Sequence, residues 1–432
     1  MASLRNAVHL LRHDRKLFCK RLVSATYRVL DKPLAFFTGR PSLYTNILPG
    51  PAGQGASGRP RFLTVFTCNP FLPSGVGTSI LAQCGLVKGL GYALDAVFYV
   101  RDEITAPTRN KFLAFFDRAA VVFPRKSLPR RLADGVTADC LDSWCGDEAV
   151  EACETMLRDT RYVGVIVHQP WLSRLLEVVP HGTKKYLFMH DNFADRASLF
   201  EAQGLERRHA WLSVSEEEQA HCMRRADILF AVQEEERALF ARQLGDEKQV
   251  VTVKIPLADK THILLPPPEE KLAVGIVASA NENNRIAVAD FIRLWEKESQ
   301  LETVAELRIA GDVGCFVRSH APSVRILGRV DDLDAFYAGV SVVVNPDCGG
   351  TGLKVKSLEA LSYGRPLLCS RQGGQGLHSS APYHALPDRN HMIPELVRLA
   401  EQRALLEPMR EDSMRLFTYY NHMKEYINSF TR

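Results

Sequence analysis

The sequence predicts an α/β protein built from two doubly wound parallel sheets. Three observations carry that prediction. Short, nearly continuous apolar runs alternate with amphipathic stretches of helical period, the pattern of parallel strands covered on both faces. The alternation stops at residues 254–270, where Pro256 and Pro266-Pro267-Pro268 stand, and then starts again. The chain has 432 residues, 46% of them hydrophobic and 24% charged, the length and composition of two or three globular domains.

In chain order, residues 1–48 form a basic arm. Residues 1–40 carry nine Lys/Arg against Asp14 and Asp31, although the whole chain is only +4, so the remainder is slightly acidic. The arm reads either as a basic amphipathic helix lying on an anionic membrane surface or as a segment packed on its own domain. Residues 49–60 (PGPAGQGASGRP) hold four Gly and three Pro, a composition that breaks helices and central strands and marks a linker. Residues 61–255 form the first domain. Its strands are predicted at 61–67, 95–100, 119–123, 163–167, 185–189, 227–232 and 250–253, each an apolar run rich in Val, Ile, Phe or Leu. Helical patterns at 148–158, 215–225 and 234–244 lie between them, the last stopped by Gly245. Residues 256–270 form a hinge and 271–405 the second domain, with strands at 272–279, 306–310, 324–327, 341–345 and 366–369. Helices are predicted at 285–299, 332–338, 353–363 and 391–403. A terminal helix within 406–432 packs back across the cleft.

Composition narrows the function classes. A near-neutral body argues against a dedicated nucleic-acid binder. No run of about 18 apolar residues is present, and Arg12, Asp14, Arg15 and Lys16 interrupt any apolar leader core. Ten Cys without a CxxC pair suit reduced, buried thiols in a cytoplasmic protein, and no metal-ligand spacing is present.

Two strand-to-helix junctions are rich in glycine, and in open parallel sheets such junctions bind ligands. After the strand at 61–67, Gly75 and Gly77 allow close backbone approach and Thr78 is placed to cap the following helix. The second junction is denser: Gly349-Gly350-Thr351-Gly352 opens a helix entered by Lys354 and Lys356. Its free N–H groups suit a diphosphate, and the lysines add point charges. Lys356 and Glu359, three apart, share a face. They form either a solvated pair or, with Glu359 accepting from a vicinal diol, part of a nucleotide site.

The run Gly349–Pro366 (GGTGLKVKSLEALSYGRP) resembles the nucleotide-sugar motif of GT-B glycosyltransferases, especially the retaining glycosyltransferase family 4 group. Gly311-Asp312 and the segment Leu327–Tyr337 are similar to flanking motifs of that family. The resemblance implies two Rossmann-like domains facing a cleft, the first for the acceptor and the second for the nucleotide-sugar. It implies that Glu359 holds the donor ribose, that Gly350, Thr351, Gly352, Lys354 and Lys356 surround the diphosphate, and that Arg285 is the nearest match to a further basic group. Gly75 and Gly77 would face the diphosphate or acceptor. Many members carry a Glu where Thr351 stands, which leaves the donor sugar open. Catalytic candidates are His190, Asp191 and Lys356, with Asp191 or Asp195 fixing the His190 imidazole. His168-Gln169-Pro170 is a weaker parallel. Asp332-Leu333-Asp334 reads as a helix cap rather than a metal motif, and Glu216–Glu218 and Glu234–Glu236 as solvated helix starts.

The expected activity is therefore transfer of a sugar from a nucleotide-sugar to a glycan or glycolipid hydroxyl, with retention and without metal or organic cofactor. Expected partners are these substrates, no nucleic acid, and a peripheral membrane contact through the arm. A non-catalytic nucleotide-sugar-binding subunit and a nucleotide-sugar epimerase are the alternatives.

Overall fold

The computed structural model describes residues 45–49, 58–72, 74–100, 106–124, 141–210, 212–266, 270–420, 427, 428 and 430. The basic segment 1–40 and residues 50–57 of the Gly/Pro stretch lie outside the described residues.

The first domain contains β1 (Thr45–Pro49), β2 (Arg61–Phe66), α1 (Gly75–Gly89), β3 (Ala93–Tyr99), α2 (Ala106–Phe115), β4 (Arg118–Val122) and α3 (Asp147–Asp159). It continues through β5 (Gly164–His168), β6 (Lys184–Met189), α4 (Arg196–Ala202), α5 (Glu216–Arg224), β7 (Ile228–Ala231), α6 (Glu234–Leu244) and β8 (Gln249–Thr252). The strands form one sheet in the order β1-β4-β3-β2-β5-β6-β7-β8. Every pairing is parallel except that of β1, which runs antiparallel to β4.

Strand β1 falls at the end of the expected arm. It is an edge strand finishing on Pro49, the position in a sheet where a missing N–H costs least. β3 is buried along its whole length, including Asp95. That carboxylate is held by Arg61 at 2.5 Å, Arg118 at 2.9 Å and the Tyr162 hydroxyl at 2.7 Å, so three neighbouring segments neutralise one buried charge. Helix α1 is capped by Ser74, whose Oγ accepts the Gly77 N–H at 3.0 Å, and not by Thr78. Ser74 is the last extended residue before Gly75, and an N-cap must be extended while its side chain reaches the third residue beyond it.

The second domain contains β9 (Leu272–Val277), α7 (Glu282–Lys297), α8 (Ser299–Val304), β10 (Ala305–Ala310), β11 (Val324–Gly328), α9 (Leu333–Ala338) and β12 (Val342–Asn345). Then follow α10 (Val355–Ser362), β13 (Leu367–Cys369), α11 (Met392–Glu401) and α12 (Leu406–Tyr420). Its sheet is wholly parallel, in the order β11-β10-β9-β12-β13. Asp332 caps α9 by accepting the Ala335 N–H at 3.0 Å.

Residues 253–266 join the two sheets. The Arg365 side chain is fully buried and clamps this connection: it donates to the carbonyls of Ile263, Leu264 (2.9 Å) and Tyr363 (3.1 Å). Helix α12 packs on α10 and β13 of the second domain. Beyond it, the Phe430 ring enters the first domain's core, with centroids 5.4, 5.2 and 5.5 Å from Phe62, Tyr186 and Phe230. The end of the chain therefore ties the domains together through apolar burial.

Candidate functional site

Both sheets reverse strand order once near their middle. In the first sheet β3 and β5 flank β2, and in the second β10 and β12 flank β9. Such switch points leave a crevice at the carboxyl ends of the strands. The loop after β12 fills the second one. Asn345 ends β12, and its Nδ2 donates to Ser357 Oγ at 2.7 Å and the Gly373 carbonyl at 3.0 Å, which fixes the loop's entry. Asp347 is buried next to two lysines, Lys356 at 3.3 Å and Lys354 at 3.6 Å. Burial alone pushes its carboxyl pKa up, but Lys356 and then Lys354 outweigh burial and hold it below the ordinary value. Lys356 Nζ also donates to Asn284 Oδ1 at 2.5 Å, and Asn284 Nδ2 in turn donates to the Ser279 carbonyl at 2.9 Å. The N-terminus of α7, the loop after β12 and the start of α10 thus converge on one point.

Gly350 and Gly352 both adopt positive φ, 98° and 80°, where side chains are strained. Gly350 presents its N–H to Gln203 Oε1 of the first domain at 2.9 Å. Thr351 Oγ1 donates to Asp191 Oδ1 and lies 3.2 Å from the Asn192 carbonyl. A Cβ on Gly352 would stand 3.1 Å from Asp191 Oδ1 and 3.3 Å from the His190 carbonyl. A Cβ on Gly75, at the start of α1, would meet the Val355 side chain at 3.3 Å. The loop after β12 and the start of α10 therefore touch the end of β6 and the start of α1 across the cleft.

Lys356 and Glu359 share a face of α10 but do not pair with each other. Lys356 turns to Asp347 and Asn284, and Glu359 Oε2 accepts from the Tyr337 hydroxyl at 3.0 Å. Tyr337 stacks on Tyr363 with centroids 4.0 Å apart. Burial raises the Glu359 carboxyl pKa, offset in part by Tyr337 and by Lys260. Gly77 lies within α1, tight against the Ser74 side chain that caps it. Arg285 lies in the first turn of α7, its guanidinium 3.6 Å over the Phe316 ring and 3.8 Å from Glu282. From the same turn of α7, Asn283 and Asn284 reach the loop.

His190 sits at the end of β6, buried, with its ring Nε2 3.0 Å from His168 Nδ1; His168 Nε2 lies 3.2 Å from Thr64 Oγ1. The expectation that Asp191 or Asp195 fixes the His190 ring is not met. Asp191 forms an ion pair with Arg196 at 3.0 Å and accepts from Thr351, and Asp195 is an exposed residue in left-handed conformation ahead of α4. The weaker candidate, His168, holds His190: β5 and β6 are adjacent, His168 lies opposite Phe188, and His190 stands two residues beyond Phe188. Burial lowers the His168 pKa to about 3 and pushes His190 well below its ordinary value, so both rings are neutral.

Glu234 and Glu235 are exposed as expected, but Glu236 is only 4% exposed. At the third position of α6 it faces inward, and a run of three acids conceals this in the sequence. Asp347, Asn284, Gln203 and Arg196 also escaped sequence reasoning. Asp347 lies two residues before the glycine run and was readable as a partner for its lysines; the other three belong to distant segments.

The chain is similar in structure to several solved proteins. The sucrose-phosphate synthase (tll1590) from Thermosynechococcus elongatus shows 12% identity and a TM-score of 0.59, over 84% of this chain and 95% of that one. TarM shows 12% identity and a TM-score of 0.60, over 87% and 99%. Anabaena HepE, solved with UDP and glucose, shows 9% identity and a TM-score of 0.59, over 86% and 99%. At such identities the likeness establishes the fold, two Rossmann-like domains of the GT-B type. No curated protein sequence matches the chain. No helix among the described residues is long and apolar enough to cross a membrane. Residues 271–400, which hold the glycine loop, both lysines and Glu359, match the family model described as Glycosyl transferases group 1.

Proposed function

We propose that the protein is a glycosyltransferase, moving a sugar from a nucleotide-sugar bound by the second domain to a hydroxyl bound by the first. The observation that carries this reading is the meeting of Lys354, Lys356 and the positive-φ glycines with His190 and Asp191 between two strand switch points. Anionic groups bind where backbone N–H groups and cations converge, and charge grows there when a glycosyl–phosphate bond breaks.

In this reading Lys356 and Lys354 stabilise the departing diphosphate, and Thr351, Gly350 and Gly352 line its path. Glu359, steadied by Tyr337, accepts hydrogen bonds from the ribose hydroxyls. With Nε2 engaged by His168, His190 has Nδ1 left for the acceptor hydroxyl, and as a neutral ring it orients that hydroxyl without adding charge. Asp191 takes a further hydroxyl. Two lysines and oriented N–H groups supply the charge neutralisation, which supports chemistry without metal or organic cofactor; retention of configuration belongs to the same reading. The match of residues 271–400 to glycosyl transferases group 1, and the UDP and glucose in the similar HepE structure, support a nucleotide-sugar and a glycan acceptor.

The test is incubation with UDP-, GDP- and ADP-sugars, with donor cleavage followed in the presence and absence of glycan and glycolipid acceptors. Transfer supports the reading. Binding without turnover would favour a non-catalytic nucleotide-sugar-binding subunit, a role the Thr351 position also suits, and release of an isomeric nucleotide-sugar would favour an epimerase.

The basic arm belongs to this proposal as a peripheral contact with an anionic cytoplasmic membrane face, since each basic side chain near such a surface adds about 1 kcal/mol. Deleting residues 1–44 is expected to abolish co-sedimentation with phosphatidylserine vesicles. Unchanged co-sedimentation would remove the membrane role.

A further inference from the structure

Among the described residues, Glu236 is the buried acid with neither carboxyl oxygen in a hydrogen bond. It stands on α6, the first domain's helix that follows β7, and charged groups from three other places in the fold act on it. Asp191 follows β6, Arg196 opens α4, and Lys354 stands in the loop ahead of α10, in the other domain. On its own helix, Glu234 and Glu235 are exposed and turn away. The Asn192 N–H, which also faces Glu236, is given to Asp191 Oδ1 at 3.1 Å, and Arg196 Nη2 pairs with Asp191 Oδ2 at 3.0 Å. Arg196 Nε and Nη1 are buried without a hydrogen-bond partner and give none to Glu236. A buried carboxyl that receives no hydrogen bond, with another acid among the groups around it, favours its neutral form.

We propose that Glu236 is a positioning residue of the cleft: a carboxylic acid kept neutral behind Asp191, so that it adds no further negative charge there and Lys354, already shared with Asp347, is not drawn away from an anionic ligand. The inference rests on the proposed donor site, to which Asp191 and Lys354 belong. Thr351 now occupies Asp191 Oδ1, and a ligand hydroxyl would take its place. If Glu236 were ionised, a second negative charge would draw on Lys354 and oppose a diphosphate across the cleft. The direction of its titration agrees: burial, then Asp191, raise the Glu236 pKa well above the ordinary carboxyl range, against the smaller opposing effects of Asn192, Lys354 and Arg196.

Two measurements on the full chain test this. The first needs no ligand. The infrared spectrum of the parent minus that of Glu236→Gln, near pH 7, is expected to show the carbonyl stretch of a protonated carboxyl. A carboxylate band in its place overturns the proposal. The second is titration with UDP, and with ADP and GDP alongside. Over the alkaline range in which the parent's protonated-carboxyl band disappears, its affinity is expected to fall about tenfold or more, and that of Glu236→Gln less than about twofold. The nucleotide titrates identically in both, so the difference reports the protein. Glu236→Ala, which leaves a gap at a buried position of the cleft wall, is expected to weaken binding throughout, with the glutamine variant restoring it near neutrality. An equal fall in parent and Glu236→Gln overturns the proposal. If no nucleotide binds at any pH, the donor-site reading fails, and the infrared band alone decides for or against a neutral Glu236. Thermal melts confirm that each variant is folded.

Discussion

Lys356→Ala is expected to weaken nucleoside-diphosphate binding by about tenfold to a hundredfold, the worth of one charge-assisted hydrogen bond of about 1.5–3 kcal/mol, and to lower sugar transfer at least as much. The side chain is the nearer of two cations to buried Asp347, and it also ties α10 to Asn284 at the start of α7. Its removal takes away a positive charge and loosens two walls of the cradle at once. A linked effect follows. Asp347 has a depressed pKa, so it contributes stability that is present above its unfolded pKa and is lost as pH falls through the folded value. With Lys354 as its remaining cation, that contribution shrinks, and Lys356→Ala should lose stability relative to the parent near neutral pH more than in acid. Calorimetric titration with UDP, with melts at two pH values, measures both effects. Unaltered affinity would remove Lys356 from the donor site. Lys356→Arg is not expected to restore the parent, because a planar fork does not fit a point-charge site between Asp347 and Asn284.

Gly311→Ala is expected to cost at least about 3 kcal/mol, lowering the second domain's melting midpoint by about 6–12 °C. Gly311 leaves β10 at φ 103°, ψ 175°, a conformation open essentially to glycine. A Cβ there would press into the Ala278 carbonyl, its carbon only 3.0 Å away and its oxygen closer still. That carbonyl cannot retreat freely, since it accepts the Val313 N–H at 3.3 Å, while Ala278 N–H is bonded to the Ala310 carbonyl at 3.0 Å. The ends of β9 and β10 are thus stitched together at the point where the chain turns. A thermal or denaturant melt reads the loss directly. An unchanged midpoint would show that this crossing relaxes without strain.

Much of the fold was legible because buried parallel strands advertise themselves. Residues 163–167 and 341–345 stood out as apolar runs, and β5 and β12 lie within a residue of them. β1 was not legible: a five-residue edge strand beside a Gly/Pro stretch has no period to detect, and its partner β4 is far along the chain. In the site, Gly350, Thr351, Gly352, Lys354, Lys356 and Glu359 were readable as a group because they are neighbours in sequence, on one loop and one helix. The histidines were readable singly but not as a pair. Only the alignment of β5 with β6 brings His168 against His190 and leaves Asp191 to Arg196 and Thr351.

Local order along the chain was sufficient for the two sheets, the glycine-rich corner and its lysines. Strand burial, helix starts and positive-φ turns depend on residues a few positions apart, and a sequence preserves that range. Which side chains meet across the cleft was left to tertiary packing. Thr351 on Asp191, Gly350 on Gln203 and the Phe430 ring in the first core each join segments more than a hundred residues apart. The same packing put Glu236 inside while its neighbours Glu234 and Glu235 stayed in water. A run of three acids looks uniform until a helix is placed, because which one faces inward depends on what the helix packs against.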